Sequence, residues 1–176
     1  IEAECIYGEY WLKFSLFNPF GKLGLHTMVK RACFAHWYGS RMSSSKSRDR
    51  IKPFIEKFSI YEEEHLKEVS QYTSFNDFFY RKLKPEARPV DGTEDSVVFP
   101  ADGRHLGFAK ASEVEGVFLK GQKFNLKRLL GNFDLAARYA DGAAVFSRLC
   151  PVDYHRFHFP VAGVPGNTRL INGHLY

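Results

Sequence analysis

Two imidazoles, a carboxylate and a phenol fall within the stretch from Pro151 to Pro160, PVDYHRFHFP. Proline at both ends discourages a regular helix through it. Histidine titrates near neutral pH, so His155 and His158 beside Asp153 offer proton transfer, metal ligation or a buried hydrogen-bond network. In an extended segment, residues three apart point to opposite faces and the two imidazoles would have different tasks; a helical turn would put them on one face. A second candidate is Pro100-Ala101-Asp102-Gly103, a carboxylate in a tight turn after the apolar run Val97-Val98-Phe99. Asp-Gly is also an ordinary turn dipeptide, and so is Lys120-Gly121, whose lysine could meet a phosphate or only face solvent. A metal would need further ligands, and none of His26, His36, His65, His105 and His174 stands at a ligand spacing with the pair, so no metal is expected. A Ser-His-Asp hydrolase would need a nucleophile, and no GxSxG supplies one.

Positioning such groups takes elements, and the chain reads as two kinds of them. Residues 1–45 are aromatic and basic, and the spacing of Leu25, Met28, Val29, Ala32 and His36 predicts an amphipathic helix from about Lys22 to Tyr38. Such a helix either covers a core or lies in a membrane interface, with Trp11, Phe14, Phe17, Phe20, Phe34 and Trp37 among the headgroups. Met42 to Arg50, rich in serine and basic residues, reads as a polar connector. Ile51, Phe54, Ile55 and Phe58 give a helical apolar face that tolerates Pro53 only in its first turn. Glu62, Glu63 and Glu64 suit a helix N-terminus, as a solvated face rather than as metal ligands. Ser74 and Asp77 have the form of a helix start, with Phe75, Phe78, Phe79 and Leu83 covering one side, and Pro85 and Pro89 end that element. From there the pattern turns to short strands at 97–99, 105–109, 117–119, 143–149 and 170–171, with one short helix, Leu126 to Leu130, closed by Gly131. The expected fold is α+β, with N-terminal amphipathic helices followed by a β-rich, mostly antiparallel domain. The expected division is 1–45 and 46–176.

At 176 residues and 44% hydrophobic, the chain can form one core with a smaller appendage. A net charge of +5 fits an anionic membrane surface or an ordinary basic enzyme; the bases are spread out and no nucleic-acid-binding signature accompanies them, so no nucleic acid is expected. Cys5, Cys33 and Cys150 form neither a disulfide framework nor a CxxC, which favours a reducing compartment. No run of about 18 apolar residues is present, so no transmembrane helix is expected. A start at Ile1 and a stop at Tyr176, just after an apolar run, suggest a fragment.

Taken in order, several motifs resemble one family. Ser74-Phe75-Asn76-Asp77-Phe78-Phe79 with Arg81, Leu83-Lys84-Pro85 and Arg88-Pro89 comes first, then Pro100-Ala101-Asp102-Gly103. Lys120-Gly121 with Leu129-Leu130-Gly131, Asp153-Tyr154-His155-Arg156-Phe157-His158 with Pro160 and Gly163, and Gly173-His174-Leu175-Tyr176 follow. Each is weak alone; the ordered set over about residues 70–176 is similar to phosphatidylserine decarboxylase.

The resemblance implies a proenzyme that cuts itself before a serine and converts that serine into a pyruvoyl group, the cofactor, at the new N-terminus of the smaller chain. It implies that His158 is the base for the serine hydroxyl, that Asp102 orients it, and that His155 assists decarboxylation and reprotonation. The implied substrate is phosphatidylserine, the product phosphatidylethanolamine, and the partners a membrane surface and the protein's own C-terminal pyruvoyl chain. The membrane reading of residues 1–45 gains by it, with Trp11, Phe14, Phe17 and Trp37 as contact candidates on a peripheral protein of a bacterial cytoplasmic or organellar membrane. The cleavage serine is expected beyond Tyr176, since Ser147 in Phe146-Ser147-Arg148 does not match it. The 176 residues alone are therefore expected to be inactive. A different class of function remains open: a non-catalytic lipid-binding protein that keeps the fold and lacks the serine. A soluble pyruvoyl decarboxylase for a small amino acid fits the aromatic N-terminus less well.

Overall fold

The computed structural model describes residues 9–171 except 30, 91, 94, 115–117, 120, 121 and 124. Lys120-Gly121 and Gly173 to Tyr176, two of the motifs, lie outside the described residues. The chain divides into two compact units, the first of Ile1–Thr93 and Pro151–Arg156, the second of Glu94–Cys150 and Phe157–Gly173.

The first unit is helical. Helix α1 (Glu9–Phe17) turns into α2 (Pro19–Gly24) at Asn18, whose side-chain oxygen accepts from the N–H groups of Phe20 (2.9 Å) and Gly21 (3.4 Å), while Pro19 sits where its missing N–H costs nothing. The turn closes tightly enough that a Cβ on Gly21 would stand 2.1 Å from the carbonyl oxygen of Phe14, so only glycine fits.

The single helix expected over 22–38 is broken. Leu25–Val29 forms a π-helical turn, Arg31 is extended (φ −92°, ψ 141°), and α3 runs Ala32–Ser43. Thr27 explains part of the break, because its hydroxyl donates to the carbonyl of Leu23 (2.8 Å) in competition with the helical ladder.

The core gathers Met42, Ile51, Phe54, Ile55, Tyr72, Phe75 and Phe78, all buried, with Phe58, Ile60, Val69 and Phe79 at its margin. Helix α4 (Ile51–Phe58) supplies the apolar face expected of it, with Pro53 in its first turn. Helix α5 (Phe75–Phe79) meets it edge-on, Phe54 to Phe75 at 5.3 Å and Phe54 to Phe78 at 5.8 Å. Each such ring removed from water contributes roughly 1.5–3 kcal/mol, the aromatic contacts somewhat more.

The expected polar connector is instead part of this core. Ser45–Arg50 is a 3₁₀ helix, Met42 and Ser47 are buried, and the Ser47 hydroxyl donates to the carbonyl of Met42 (2.8 Å) while accepting the N–H of Phe75 (2.9 Å). One serine thus ties the end of α3 to the start of α5. That start is capped as expected by Ser74, which accepts from the N–H of Asp77 (3.2 Å). The Asp77 carboxylate accepts from the N–H of Thr73 (3.0 Å), a bond that, with Lys67 nearby, holds its pKa below the usual carboxylate range.

The second unit carries the sheet. Strand β1 (Arg104–Phe108) pairs antiparallel with β4 (Ala144–Arg148), from Arg104 opposite Arg148 to Phe108 opposite Ala144, and β2 (Phe118–Leu119) pairs with β3 (Gln122–Lys123). Helices α6 (Leu126–Leu130) and α7 (Phe133–Arg138) are capped by Asn125 and Asn132, and Gly131 (φ +56°) closes α6 as the sequence predicts. Among the described residues the fold is α+β but mostly helical, with less sheet than expected. Residues 97–99 and 170–171 form no strand. The first comes close: the N–H of Val98 donates to the carbonyl of Pro160 (3.0 Å) and that of His158 to Pro100 (2.9 Å), but both prolines lack the N–H that would extend the ladder.

Candidate active site

In the first unit, residues 151–156 return to α5 as a strap without helix or strand beyond the turn at Pro151. The N–H of Arg156 donates to the carbonyl of Tyr154 (2.8 Å), closing a three-residue γ-turn centred on His155. The guanidinium of Arg81, just after α5, donates to the carbonyl of Val152 (3.2 Å). In the other direction the Nε of Arg156 donates to the carbonyls of Tyr80 (2.9 Å) and Arg81 (3.3 Å). Between these anchors the half-buried His155 ring stacks on Phe79, with centroids 4.0 Å apart and planes 28° from parallel.

Arg81 is itself buried, its guanidinium 5.3 Å from the centre of the Phe78 ring. Behind it lie His65 and Tyr72, 4% and 1% exposed, which meet edge-on at 5.9 Å. Burial first, and then the Arg81 charge, lower the His65 pKa to about 4, although Glu64 pulls the other way. Burial also raises the Tyr72 hydroxyl above its ordinary value, with Arg81 opposing.

In the second unit, Asp102 is half-buried in the bend immediately before β1. The bend depends on Gly103, which has φ +126° and lies so close to β4 that a Cβ would stand 2.4 Å from the carbonyl oxygen of Arg148. The 2.9 Å bond from the N–H of His158 to the carbonyl of Pro100 ties the histidine segment to the chain two residues ahead of Asp102. The side chain of His158 is exposed. On the sheet, His105 Nδ1 and Ser147 Oγ are 2.9 Å apart as a cross-strand pair, and the His105 ring stacks on Phe99 at 4.0 Å.

The segment between Pro151 and Pro160 is therefore divided: His155 belongs to the first unit, His158 and Asp102 to the second. No helical turn sets the two imidazoles on one face. The aromatic residues proposed for membrane contact are open to solvent, Trp11 at 71%, Phe14 at 38%, Phe17 at 78% and Trp37 at 54%. Among the described residues no helix is long and apolar enough to cross a membrane, and no three of His, Cys, Asp and Glu gather as metal ligands. Sequence reasoning gave Phe79 only a place on a helix face and Arg81 and Arg156 no task. Their signal was the Phe-Phe-x-Arg ending of the helix and the arginine between the two histidines.

The sequence profile of the family described as "Phosphatidylserine decarboxylase" matches residues 75–176. The chain is similar to the phosphatidylserine decarboxylase proenzyme of Fusobacterium nucleatum, 46% identical over 176 residues, covering 100% of this chain and 59% of that protein. It is 43% identical to the proenzyme of Chlamydia muridarum over 176 residues (100% of this chain, 58% of that one). The proenzyme of Chlamydia pneumoniae is also 43% identical, over 173 residues (98% and 58%). The chain thus spans under two thirds of the length of these curated relatives.

Proposed function

The chain belongs to the phosphatidylserine decarboxylase family, and from that premise we propose that the whole protein is a carboxy-lyase of phospholipid synthesis. It removes carbon dioxide from phosphatidylserine to give phosphatidylethanolamine, after cutting itself to make its own pyruvoyl group. His158 takes the proton from the hydroxyl of the cleavage serine, and Asp102 orients the imidazole and stabilises it once charged. The observation that carries this assignment is the 2.9 Å bond between the N–H of His158 and the carbonyl of Pro100, which joins the two motifs within one compact unit.

The side chains present fit a pyruvoyl group. Making it calls for a base with a carboxylate, and using it calls for a proton donor active near neutral pH; Asp102 with His158, and His155, are groups of those kinds. When bound, the group supplies a conjugated carbonyl that condenses with the substrate amine and takes up the electron pair left as carbon dioxide departs. His155 holds the proton that returns to the substrate carbon. Its placement in the other unit from His158 supports two separate tasks for the two imidazoles.

The substrate is a membrane lipid, and the first unit suits a peripheral approach to an anionic surface. Trp11, Phe14, Phe17 and Trp37 present apolar rings. A cleft of about 290 Å³ lined by Arg41, Met42, Ser44, Lys46, Ser47 and Arg50 gathers three cations and no carboxylate. The remaining partner is the protein's own C-terminal pyruvoyl chain.

The test is the intact mass of the full-length gene product beside its Asp102→Asn and His158→Ala variants. Two chains in the wild type, the smaller blocked by pyruvoyl, with single uncut chains in both variants, is the expected result. Variants that cut normally would remove the assignment of these residues, and an uncut wild type would favour the non-catalytic lipid-binding alternative.

A further inference from the structure

Among the described residues, four restraints converge on His155 from the end of α5 and from the strap itself. The γ-turn closed by Arg156 and Tyr154 fixes the backbone at the histidine. Arg81 grips the strap on one side through Val152, and Arg156 grips the helix end on the other through Tyr80 and Arg81. Phe79 fixes the plane of the ring by stacking at 4.0 Å. A stack covers a face of an imidazole and so restrains the plane in which its nitrogens lie. The anchor on the helix side is buried, with the Arg81 guanidinium 5.3 Å from the centre of the Phe78 ring, which in turn meets His65 and Tyr72 edge-on.

We propose that Phe79, Arg81 and Arg156 are positioning residues for decarboxylation, a reciprocal clasp that sets the imidazole of His155 in one place and one plane. The proposal rests on the reading that His155 returns the proton to the substrate carbon. Proton transfer demands heavy-atom distances near hydrogen-bond length, and a misplacement of about 1 Å costs up to roughly 10²-fold in rate. None of the three residues needs to touch substrate.

The experiment uses the full-length gene product purified after self-processing, with phosphatidylserine in mixed detergent micelles as substrate. Four variants are compared: Phe79→Leu, Phe79→Tyr, Arg156→Gln and, as reference, His155→Ala. Phe79→Leu and Arg156→Gln are expected to process to two chains and to lose on the order of tenfold or more in kcat with KM within about twofold, since the loss is in transition-state geometry and not in binding. Phe79→Tyr, which restores a stacking ring, is expected to recover most of that loss. Wild-type kcat in Phe79→Leu and Arg156→Gln, with His155→Ala inactive, would overturn the clasp and leave the role of His155 standing. Phe79→Leu failing in processing and decarboxylation alike, without rescue by Phe79→Tyr, would reduce the clasp to a structural contact. A processed His155→Ala protein that decarboxylates at the wild-type rate would remove the underlying reading instead.

Discussion

His65 is the clearest case of a residue whose chemistry is set by where it is buried. Both ring nitrogens are buried with no hydrogen-bond partner among the described residues, the ring meets Tyr72 and Phe78 edge-on, and the neutral form is held down to a pH of about 4. An unfolded chain takes up that proton near pH 6.5. Between these values the unfolded state binds more protons than the folded one. The stability that depends on a neutral His65 is therefore complete above about pH 6.5 and drains away as the pH falls toward 4, by up to about 3 kcal/mol. Urea unfolding at pH 7.5, 5.5 and 4.5 should show the wild type weakening on acidification and a His65→Phe variant weakening distinctly less; equal slopes would mean the ring is not the sensor. Little of this was legible in the sequence, where His65 directly follows three glutamates read as a solvated face. Asp102, His155 and His158 were conspicuous because dense polar groups near prolines are conspicuous at short range. The hold of Arg81 on Val152 spans 71 positions, a separation that no local pattern reports.

Elements were legible where their signals are local. The apolar face of α4, the Ser74 cap of α5 and the Gly131 stop of α6 depend on residues within a turn or two of one another, and each appears where expected. The helix over 22–38 fails in part because apolar spacing says nothing of Thr27 competing for the carbonyl of Leu23. The strand at 97–99 fails because the segment it faces is bounded by Pro160. In the β1–β4 pair the sensitive point is Gly103. An alanine there would meet both a left-handed backbone and the carbonyl of Arg148, a strain of about 2 kcal/mol or more. Gly103→Ala in the full-length protein should lower the melting temperature and slow self-cleavage, because Asp102 is the preceding residue. Normal processing, followed by intact mass over time, would separate the turn from the chemistry.

For the molecule as a whole, the first unit presents two contrasting surfaces in its own residues, aromatic along α1 to α3 and basic around Arg41, Lys46 and Arg50. If the aromatic surface seats on lipid, Trp11→Glu with Trp37→Glu should cut co-sedimentation with phosphatidylserine-containing vesicles by at least about fivefold, since each replaces an interfacial ring by a charge. Unchanged co-sedimentation would leave those rings without a membrane role. The sequence announced the aromatic and basic composition of this region but not its layout as α1, α2, a π-helical turn and α3. Nor did it announce that residues 151–156 belong with α5, a partition that composition does not mark. That partition also gives the first unit a chronology. Its core runs from Met42 to Phe78, a continuous stretch that a ribosome releases early, whereas the strap follows only after Glu94–Cys150 has been made. The wall around Arg81 draws on residues made well before the strap, so the berth for His155 can be built while much of the polypeptide is still unborn.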